Sequence, residues 1–242
     1  MPSPSTSPRT GPLFYQPDLT LPYLTPEESH HAVSVLRMRI GDRLEVTDGK
    51  GNLAGAELTS HEKRKAGIRI LDSQQIPRRD FSIHLAIAPT KNIDRMEWMV
   101  EKVVEIGVDK ITFVNCAKSE RPSVPMDRLN KLAVSAMKQS GQAWLPQLAG
   151  MIPLKDFLES ATESQRFIAH VDSGNPDHLF TLAKPNGQCV VLIGPEGDFA
   201  PEELSMAMEA GFRKVSLGAN RLRTETAGVV AVVILSSLKS IS

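Results

Sequence analysis

An apolar run that stops at a glycine-bearing turn, Val190–Phe199 (VVLIGPEGDF), decides the fold of this chain. A second transition of the same kind follows in Ser216–Ala227 (SLGANRLRTETA), where a short apolar segment, a glycine and a polar loop lead into another apolar stretch. Parallel α/β sheets hold small ligands in loops at the carboxyl ends of their strands. The two segments therefore predict a parallel sheet with a ligand site at its strand ends.

Strand and helix patterns alternate over residues 78–242, which is typical of βαβ units and a mostly parallel sheet. The last apolar stretch, Ala227–Leu235, is rich in β-branched residues, so a strand is the alternative to the helix that its length and capping threonines favour. The predicted strands are Phe81–Ala88, Val108–Asn115, Phe167–Val171, Gln188–Ile193 and Lys214–Leu217. The predicted helices are Asp94–Ile106, Asp127–Ser140, Pro201–Ala210 and Thr226–Lys239.

The residues before 78 form short runs separated by Asp-Gly and charged turns, a pattern that predicts a small antiparallel β barrel or sheet. A capping box at Thr25 and Glu28 opens a predicted helix that runs to about Met38. The predicted strands here are Arg43–Thr47, Leu53–Ser60 and Gly67–Gln74. The sequence thus predicts a disordered tail rich in Pro, Ser and Thr over 1–12, a small β domain over 13–77 and an α/β domain over 78–242.

Charge is balanced in this chain of 242 residues, which carries 28 basic and 28 acidic side chains. The basic excess that usually marks non-specific nucleic-acid binding is absent, so any nucleic-acid footprint must be a local patch. Charge runs are most often solvated faces, but three locally basic runs would suffice to follow an RNA backbone. They are His61–Ile70, Lys118–Lys131 and Arg213–Glu225.

The remaining compositional features predict a cytoplasmic protein. Cys116 and Cys189 lack metal-ligand spacing and are expected to be buried thiols in a reducing compartment, so no metal is predicted. The first residues, MPSPSTSPRTGP, lack the apolar core of a secretory signal. No apolar run reaches the roughly 18–20 residues of a membrane span, so no membrane partner is expected.

The turn at Gly194–Gly197 (GPEG) suits either a ligand site or a plain connection between elements. Its glycines allow a ligand to approach the backbone, and its proline stiffens the turn. The turn matches neither the dinucleotide-binding fingerprint nor the Walker pattern, which disfavours nicotinamide cofactors and ATP hydrolysis.

The polar loop before the last apolar stretch is more unusual. Helix capping by Thr224 and Thr226, with Glu225 at the positive helix end or in a surface ion pair, explains part of it. Capping does not explain Leu222 and Arg223, which favour a ligand-binding role.

Together these segments resemble the 16S rRNA (uridine-N3) methyltransferase family, RsmE, of the SPOUT superfamily. The resemblance covers nearly the whole chain after the tail, and the combination of segments is highly specific. Asp198 stands where many members have glycine, and Ala219–Arg221 stands where Pro-Arg-Ile is common. In chain order, the matching segments are His31–Asp42 with Asp48–Gly51, Lys91–Gly107, Ser119–Arg121, Gln139–Pro146, and the two C-terminal segments IGPEGDF and LRTETA.

The resemblance implies a PUA-like domain that helps to bind RNA, followed by an α/β domain with a deep trefoil knot. It implies methylation of N3 of one uridine in 16S rRNA, with S-adenosylmethionine as methyl donor, by a homodimer whose active site lies near the subunit interface. His170–Gly174 would form a third wall of the cofactor pocket. The cofactor-binding residues carried over by position are Leu192, Gly194, Glu196, Gly197, Leu217, Gly218, Leu222 and Arg223.

Methyl transfer to uridine requires the N3 proton to leave and the charge on uracil to be stabilised. The predicted catalytic residues are Arg223 or Arg121, which would stabilise the uracil anion, and Glu225, which would orient an arginine or accept the proton. Phosphate contact is the alternative role of each arginine. The predicted RNA-binding residues are Arg37, Lys63, Arg64, Lys65, Lys118 and Arg121.

Two other function classes compete with this hypothesis. A nucleotide enzyme would use the Gly194–Gly197 turn for a phosphate, but the turn lacks the lysine and the several backbone donors of a phosphate cradle. A non-catalytic RNA-binding protein would need only the β domain, and the intact pair of glycine-bearing loops argues against it. We therefore expect an RNA methyltransferase.

Overall fold

A computed structural model describes residues 11–170 and 177–240 of the chain. Most of the predicted disordered tail, residues 1–10, lies outside the described residues. The chain divides into two compact units. The first comprises Met1–Arg78 and Met137–Leu145, and the second comprises Arg79–Ala136 and Pro146–Ser242.

The described elements of the first unit are β1 (Leu13–Tyr15), α1 (Pro26–His30), β2 (Arg43–Thr47), β3 (Asn52–Leu58) and β4 (Ile68–Gln75). Its four strands form a sheet in the order β1-β2-β3-β4. The pairs β2-β3 and β3-β4 are antiparallel, as predicted, and the short β1 runs parallel to β2. Phe14, Leu44, Val46 and Leu58 are fully buried in the core of this sheet.

Helix α1 is shorter than the predicted helix, which ran to about Met38. Thr25 caps it as expected, but α-helical bonding ends at His30 and His31–Val35 form a π-helical turn. Arg37 then adopts a left-handed conformation with φ of 54°, which an α-helix does not accommodate. The prediction is therefore wrong beyond His30, because the chain turns there to bury Met38 in the core.

Residues Met137–Leu145 pack with the first unit, although the predicted domain boundary assigned them to the second domain. The indole N–H of Trp144 donates to the carbonyl of Ile76 at 3.0 Å. The Trp144 ring fills the space where a side chain on Gly51 would lie, so that position requires glycine. The carbonyl of Ala143 also accepts a hydrogen bond from the Gly51 amide at 2.9 Å.

The described elements of the second unit are β5 (Phe81–Ile87), α2 (Ile93–Ile106), β6 (Lys110–Asn115), α3 (Met126–Ser140), β7 (Gln147–Pro153), α4 (Leu154–Ser160), β8 (Gln165–Ala169), α5 (Leu179–Leu182), β9 (Gly187–Ile193), α6 (Pro201–Glu209), β10 (Arg213–Val215) and α7 (Thr224–Ser240). The last residues of α3, from Met137, belong to the first unit. The sequence predicted most of these elements, but not β7, α4 or α5.

The strands of the second unit form one sheet in the order β10-β8-β9-β5-β6-β7, and every neighbouring pair is parallel. Their carboxyl ends therefore meet at one edge, where the loops after β5, β6, β9 and β10 begin. Strand β9 lies between β8 and β5, which explains its continuous apolar run, since a strand inside a parallel sheet is covered on both faces.

The apolar stretch Ala227–Leu235 is helical, so the helix prediction is confirmed over the strand alternative. Ala231, Val232 and Leu235 are buried on the side of α7 that packs against α2 and β5. Gly228 lies close to Ile87, where an added Cβ would approach that side chain to 3.0 Å. Within residues 11–170 and 177–240, none of the helices has the length and hydropathy needed to span a bilayer.

Candidate functional site

A cavity of about 750 Å³ opens at the carboxyl edge of the parallel sheet. Its walls are the ends of β8, β9 and β10, the loops after β9 and β10, and the first residues of α7. The two glycine-bearing loops thus face one cavity, as the sequence predicted. The lining residues are Ala169, His170, Ile193–Glu196, Asp198, Val215–Thr224 and Ala227.

The two loops are joined by a hydrogen bond at Gly194, the first residue after β9. The hydroxyl Oγ1 of Thr224 donates to the Gly194 carbonyl at 3.2 Å. A Cβ on Gly194 would lie 2.8 Å from the ring of Phe199, so only glycine lets this loop fold over that ring. In the second loop, Gly218 has a φ of 137°, which other residues rarely adopt.

Six of the eight predicted cofactor residues line the cavity, and Leu192 and Gly197 do not. Leu192 is fully buried in the hydrophobic core, and its neighbour Ile193 faces the cavity instead, because successive side chains of a strand point to opposite faces. Lys118 occupies the space beside Gly197 and donates from Nζ to the Gly197 carbonyl at 2.9 Å. The six lining residues are Gly194, Glu196, Leu217, Gly218, Leu222 and Arg223.

An imidazole and a carboxylate lie in contact on the cavity wall. Nδ1 of His170 lies 3.1 Å from Oδ2 of Asp198. Asp198 has a φ of 61°, and its carboxylate accepts a hydrogen bond from the Phe199 amide at 2.8 Å. Asp is one of the few non-glycine residues that tolerate this conformation. Residues 171–174, the rest of the predicted third wall, lie outside the described residues.

Arg95, in the first turn of α2, connects two acidic residues of the site, and the sequence did not predict this role. Its Nη1 lies 3.4 Å from Oε1 of Glu196, and its Nε lies 3.8 Å from Oε1 of Glu225. Arg95 reaches the site because β5, the strand before α2, lies next to β9 in the sheet. Local sequence carries no sign of this, since strand order is a property of the folded sheet.

The predicted catalytic residue Glu225 lies in the first turn of α7. Its side chain is only 7% exposed. Its Oε2 has no hydrogen-bond partner within the described part of the chain. Glu225 therefore lies at the end of α7 where the exposed backbone N–H groups carry the partial positive charge of the helix.

The sequence predicts a catalytic role for Arg223 or Arg121 and none for Arg221, and the structure divides these three arginines into two groups. Arg221 and Arg223 line the cavity, are exposed and form no ion pair within residues 11–170 and 177–240. Arg121 does not line the cavity. Its guanidinium donates to the carbonyls of Thr90 at 3.3 Å and Lys91 at 2.8 Å, so it joins the loops after β5 and β6.

A second, more open groove of about 620 Å³ adjoins the cavity. The cavity and the groove share Arg221, Leu222 and Arg223. The other groove residues come from the first two turns of α2 and the first turn of α7: Asp94, Arg95, Trp98, Glu225 and Thr226.

The predicted RNA-binding residues of the first unit are all exposed. Arg37 follows the exposed Val35 and Leu36 after the π-helical turn. Lys63, Arg64 and Lys65 lie in the turn between β3 and β4.

Neither cysteine of the chain belongs to this site. Burial raises the pKa of both thiols, Cys116 and Cys189, to about 12. Both therefore stay protonated near neutral pH, and neither lines the cavity. Among the residues that the structure describes, no group of His, Cys, Asp and Glu is arranged to hold a metal ion.

Two family models match the chain. The model described as an RNA methyltransferase domain matches residues 77–236, and the model described as an RNA methyltransferase PUA domain matches residues 24–71. The chain belongs to the RNA methyltransferase family. The cavity and the adjoining groove both lie within the matched methyltransferase region.

Relatives in this family cover nearly the whole chain. A crystal structure of a probable rRNA-methyltransferase from Porphyromonas gingivalis is 40% identical, with a TM-score of 0.88, over 95% of this chain and 99% of that one. The structure of ribosomal RNA small subunit methyltransferase E from Neisseria gonorrhoeae, bound to S-adenosyl methionine, is 29% identical, with a TM-score of 0.84, over 94% of this chain and 98% of that one. The ribosomal RNA small subunit methyltransferase E of Buchnera aphidicola is 29% identical over 93% of this chain and 92% of its own length.

These similarities confirm the predicted fold class, an α/β methyltransferase domain with a parallel sheet that follows a PUA domain along the chain. They also confirm the predicted relationship to the RsmE family and the assignment to the methyltransferase enzymes.

Proposed function

We propose that this enzyme transfers the methyl group of S-adenosylmethionine to N3 of a specific uridine in the 16S rRNA of the small ribosomal subunit. The observation that carries the proposal is the cavity at the sheet edge, where two glycine-bearing loops are joined by the bond between Thr224 and Gly194. Relatives named ribosomal RNA small subunit methyltransferase E, one of them bound to S-adenosyl methionine, support it.

The residues around the cavity fit S-adenosylmethionine. A volume of about 750 Å³ lies within the usual range of cofactor pockets. The loop backbones offer N–H and C=O groups of the kind that bind an adenine, and Asp198 offers a carboxylate for hydroxyl or ammonium groups. We assign cofactor binding to Gly194, Glu196, Leu217, Gly218, Leu222 and Arg223.

Methyl transfer to uracil requires three contributions from the chain. The chain aligns the uracil nitrogen with the methyl group, accepts the N3 proton and stabilises the negative charge that develops on uracil. Bound S-adenosylmethionine supplies an electrophilic methyl group on a sulfonium sulfur. N3 of uracil loses its proton and bonds to the methyl carbon, while the electrons of the broken carbon–sulfur bond stay on sulfur. We assign the proton to the carboxylate of Glu225, and the stabilisation of uracil O2 and O4 to Arg223.

RNA binding is assigned to exposed cations of both units. Arg37 and the turn Lys63–Lys65 contact phosphates from the first unit, and Lys118 does so beside the cavity. Arg121 is bonded to backbone carbonyls and holds the loop after β6, so we assign it RNA contact rather than catalysis.

We also propose that the enzyme is a homodimer that acts in the cytoplasm, where ribosomal subunits are present. Helix α7 exposes an apolar strip on which Val233 is 43% exposed and Val229, Val230 and Ile234 are partly exposed. Contiguous apolar surface on an otherwise polar protein favours an interface, and a second copy is the partner that the family resemblance implies.

Calorimetry tests cofactor binding. In Leu217→Trp a bulky ring enters the cavity, and we expect S-adenosylmethionine binding to be lost. The control is Leu71→Trp, at an exposed position of β4, which should bind like the wild type. If the wild-type protein itself binds no S-adenosylmethionine, the proposal is refuted.

The substrate is tested with radiolabelled S-adenosylmethionine. The enzyme is incubated with unmodified 16S rRNA and with small subunits from cells that lack this protein, and digested RNA is mapped by mass spectrometry. We expect N3-methyluridine at one position. Label in another base, or at another atom of uridine, would contradict the assignment.

A further inference from the structure

The groove beside the cavity has walls that the proposed cofactor does not use. It shares Arg221, Leu222 and Arg223 with the cavity, but the first two turns of α2 and the first turn of α7 form its other side. A molecule in this groove would therefore lie next to whatever fills the cavity. That is the position a methyl acceptor must occupy.

Trp98 gives this groove a flat aromatic surface. Its side chain is 45% exposed, although aromatic residues make up only 5% of the chain. In residues 11–170 and 177–240, its indole N–H donates to no protein atom. The other tryptophan, Trp144, is by contrast held by a hydrogen bond and by packing. Exposed aromatic faces stack on nucleobases, and this stacking strengthens binding whatever the base.

Glu225 provides an acceptor with an unfilled hydrogen-bonding position. The residue is 6% exposed, and its Oε2 has no partner in the described part of the chain. A buried carboxylate oxygen without a donor is costly, and a ligand N–H that bonds to it removes that cost. Because α2 and α7 both begin at the groove, their N-termini also favour negative charge on a bound base.

Cations flank this acceptor. Nε of Arg95 lies 3.8 Å from Oε1 of Glu225, and Arg223 lines the same groove. With Arg221 also present, and Asp94 and Glu225 as the acidic residues, the groove carries one more positive than negative side chain. The net positive charge of the groove favours binding of a base whose ribose is flanked by negatively charged phosphodiesters.

We propose that this groove binds the uracil base of the substrate, with Trp98 as its stacking platform. The inference rests on the proposed function and names the substrate side of the same site. The imide edge of uracil presents an acceptor, a donor and an acceptor, at O4, N3–H and O2. The carboxylate of Glu225 offers an acceptor for N3–H, and the guanidinium groups of Arg95, 3.8 Å from that carboxylate, and of Arg223, which lines the same groove, offer donors for O2 and O4. Cytosine lacks the N3 donor and places an amino donor where uracil has O4, so the groove discriminates against it.

The experiment compares Trp98→Ala, Trp98→Phe and a control, Phe180→Ala, at a similarly exposed aromatic outside the groove. Single-turnover methyl transfer to unmodified 16S rRNA is measured together with S-adenosylmethionine affinity and the sedimentation coefficient. We expect Trp98→Ala to reduce transfer about tenfold or more, as loss of one stacking contact would, with unchanged cofactor affinity and assembly. Trp98→Phe should recover most of the rate.

Two outcomes would overturn the inference. Transfer by Trp98→Ala at the wild-type rate would show that no base stacks there. Loss of transfer together with loss of the dimer would show that Trp98 belongs to the subunit interface instead. Failure of the wild-type enzyme to methylate any uridine would refute the proposed function itself, so the two failures are distinguishable.

Discussion

At the scale of single residues, the buried carboxylate of Glu225 is the group whose replacement tests the proposed chemistry most directly. Glu225→Gln keeps the shape of the side chain but removes the proposed proton acceptor. We expect the single-turnover rate at neutral pH to fall roughly 100-fold, the usual contribution of a general base. The rate should then rise steeply with pH, because solvent hydroxide must remove the N3 proton in place of the carboxylate.

The measurement for Glu225 is a pH–rate profile with saturating 16S rRNA, and the control is Glu202→Gln, at an exposed position of α6. A variant that loses rate in parallel with RNA affinity, and keeps the wild-type pH profile, would assign Glu225 to binding alone.

His84 makes the stability of the second unit depend on pH. Its Nδ1–H donates to Glu163 at 2.6 Å, and its Nε2 accepts from the Thr112 hydroxyl at 2.8 Å. Burial lowers the pKa of His84 below its ordinary 6.5, outweighing the opposite effect of Glu163. The unfolded chain therefore binds the proton more readily, and the free energy of unfolding falls as pH drops through about 6.5.

Urea unfolding at pH 7.5 and 5.5 tests this expectation. The wild type should lose more stability between the two values than His84→Gln, whereas exposed His30→Gln should behave like the wild type. Equal losses in wild type and His84→Gln would place the pH dependence elsewhere. Glu163 adds to the acid sensitivity only at lower pH. Burial is the largest single influence and raises its pKa, but hydrogen bonding to His84 and to the backbone, together with the charges of His84 and Lys110, holds the pKa below 4.5.

At the scale of elements, one hydroxyl at the start of α7 links the two loops that line the cavity. Thr224→Val removes the donor to the Gly194 carbonyl and preserves the side-chain shape. We expect a roughly fivefold loss of S-adenosylmethionine affinity, equivalent to about 1 kcal/mol, the usual net contribution of one hydrogen bond. Calorimetry on this variant and on Thr181→Val, at an exposed position of α5, measures it. Identical affinities would mean that the two loops hold their positions without this bond.

Elements with periodic apolar residues or clear capping and glycine signals at their ends were predictable from the sequence. Elements that form only because a neighbouring strand of the same sheet is available for pairing were not. Strand β2 and helices α2 and α6 follow from apolar spacing, capping and glycine stops. Strand β7 contains Gly150 and ends at Pro153, and its side chains are mostly half-buried, so it shows neither alternation nor an apolar run. It forms because β6 offers an edge to pair with.

The candidate site divides in the same way. The glycine-bearing loops lie in two nearby segments of sequence, and their local patterns indicated the cavity wall. Arg95 and Trp98 lie about a hundred positions earlier, in a helix whose exposed residues look ordinary. Only the adjacency of β5 and β9 brings them to the same edge, and local sequence does not encode strand order.

At the scale of the whole molecule, the net charge is zero, so we expect RNA affinity to depend on local groups of basic side chains. Replacing Lys63, Arg64 and Lys65 together by Ala should weaken 16S rRNA binding and reduce the slope of log affinity against log salt by up to about 2. Cofactor affinity should stay unchanged. Filter binding at several salt concentrations checks this, with Lys155→Ala, exposed on α4, as control. An unchanged slope would remove this turn from the RNA interface.

Assembly is the second property of the whole molecule. Val233→Asp places a charge on the apolar strip of α7 without touching the cavity. We expect sedimentation equilibrium to show the proposed dimer for the wild type and a monomer for the variant, since an unpaired charge buried between subunits is costly. Ser237→Asp, one turn further along α7 at an exposed position, serves as a polar control. A wild-type monomer at micromolar concentration would refute the dimer.

Because Met137–Leu145 packs with the first unit, cleaving the chain at one position cannot separate the two units as intact fragments. A fragment ending at Arg78 would lack Trp144 and would leave the Ile76 carbonyl and the Gly51 amide without their partners. The complementary fragment would carry an orphaned tryptophan. An exchange of the first unit between relatives therefore has to include both of its chain segments, Met1–Arg78 and Met137–Leu145. Substitutions in one segment that change its contacts with the other also require matching substitutions there.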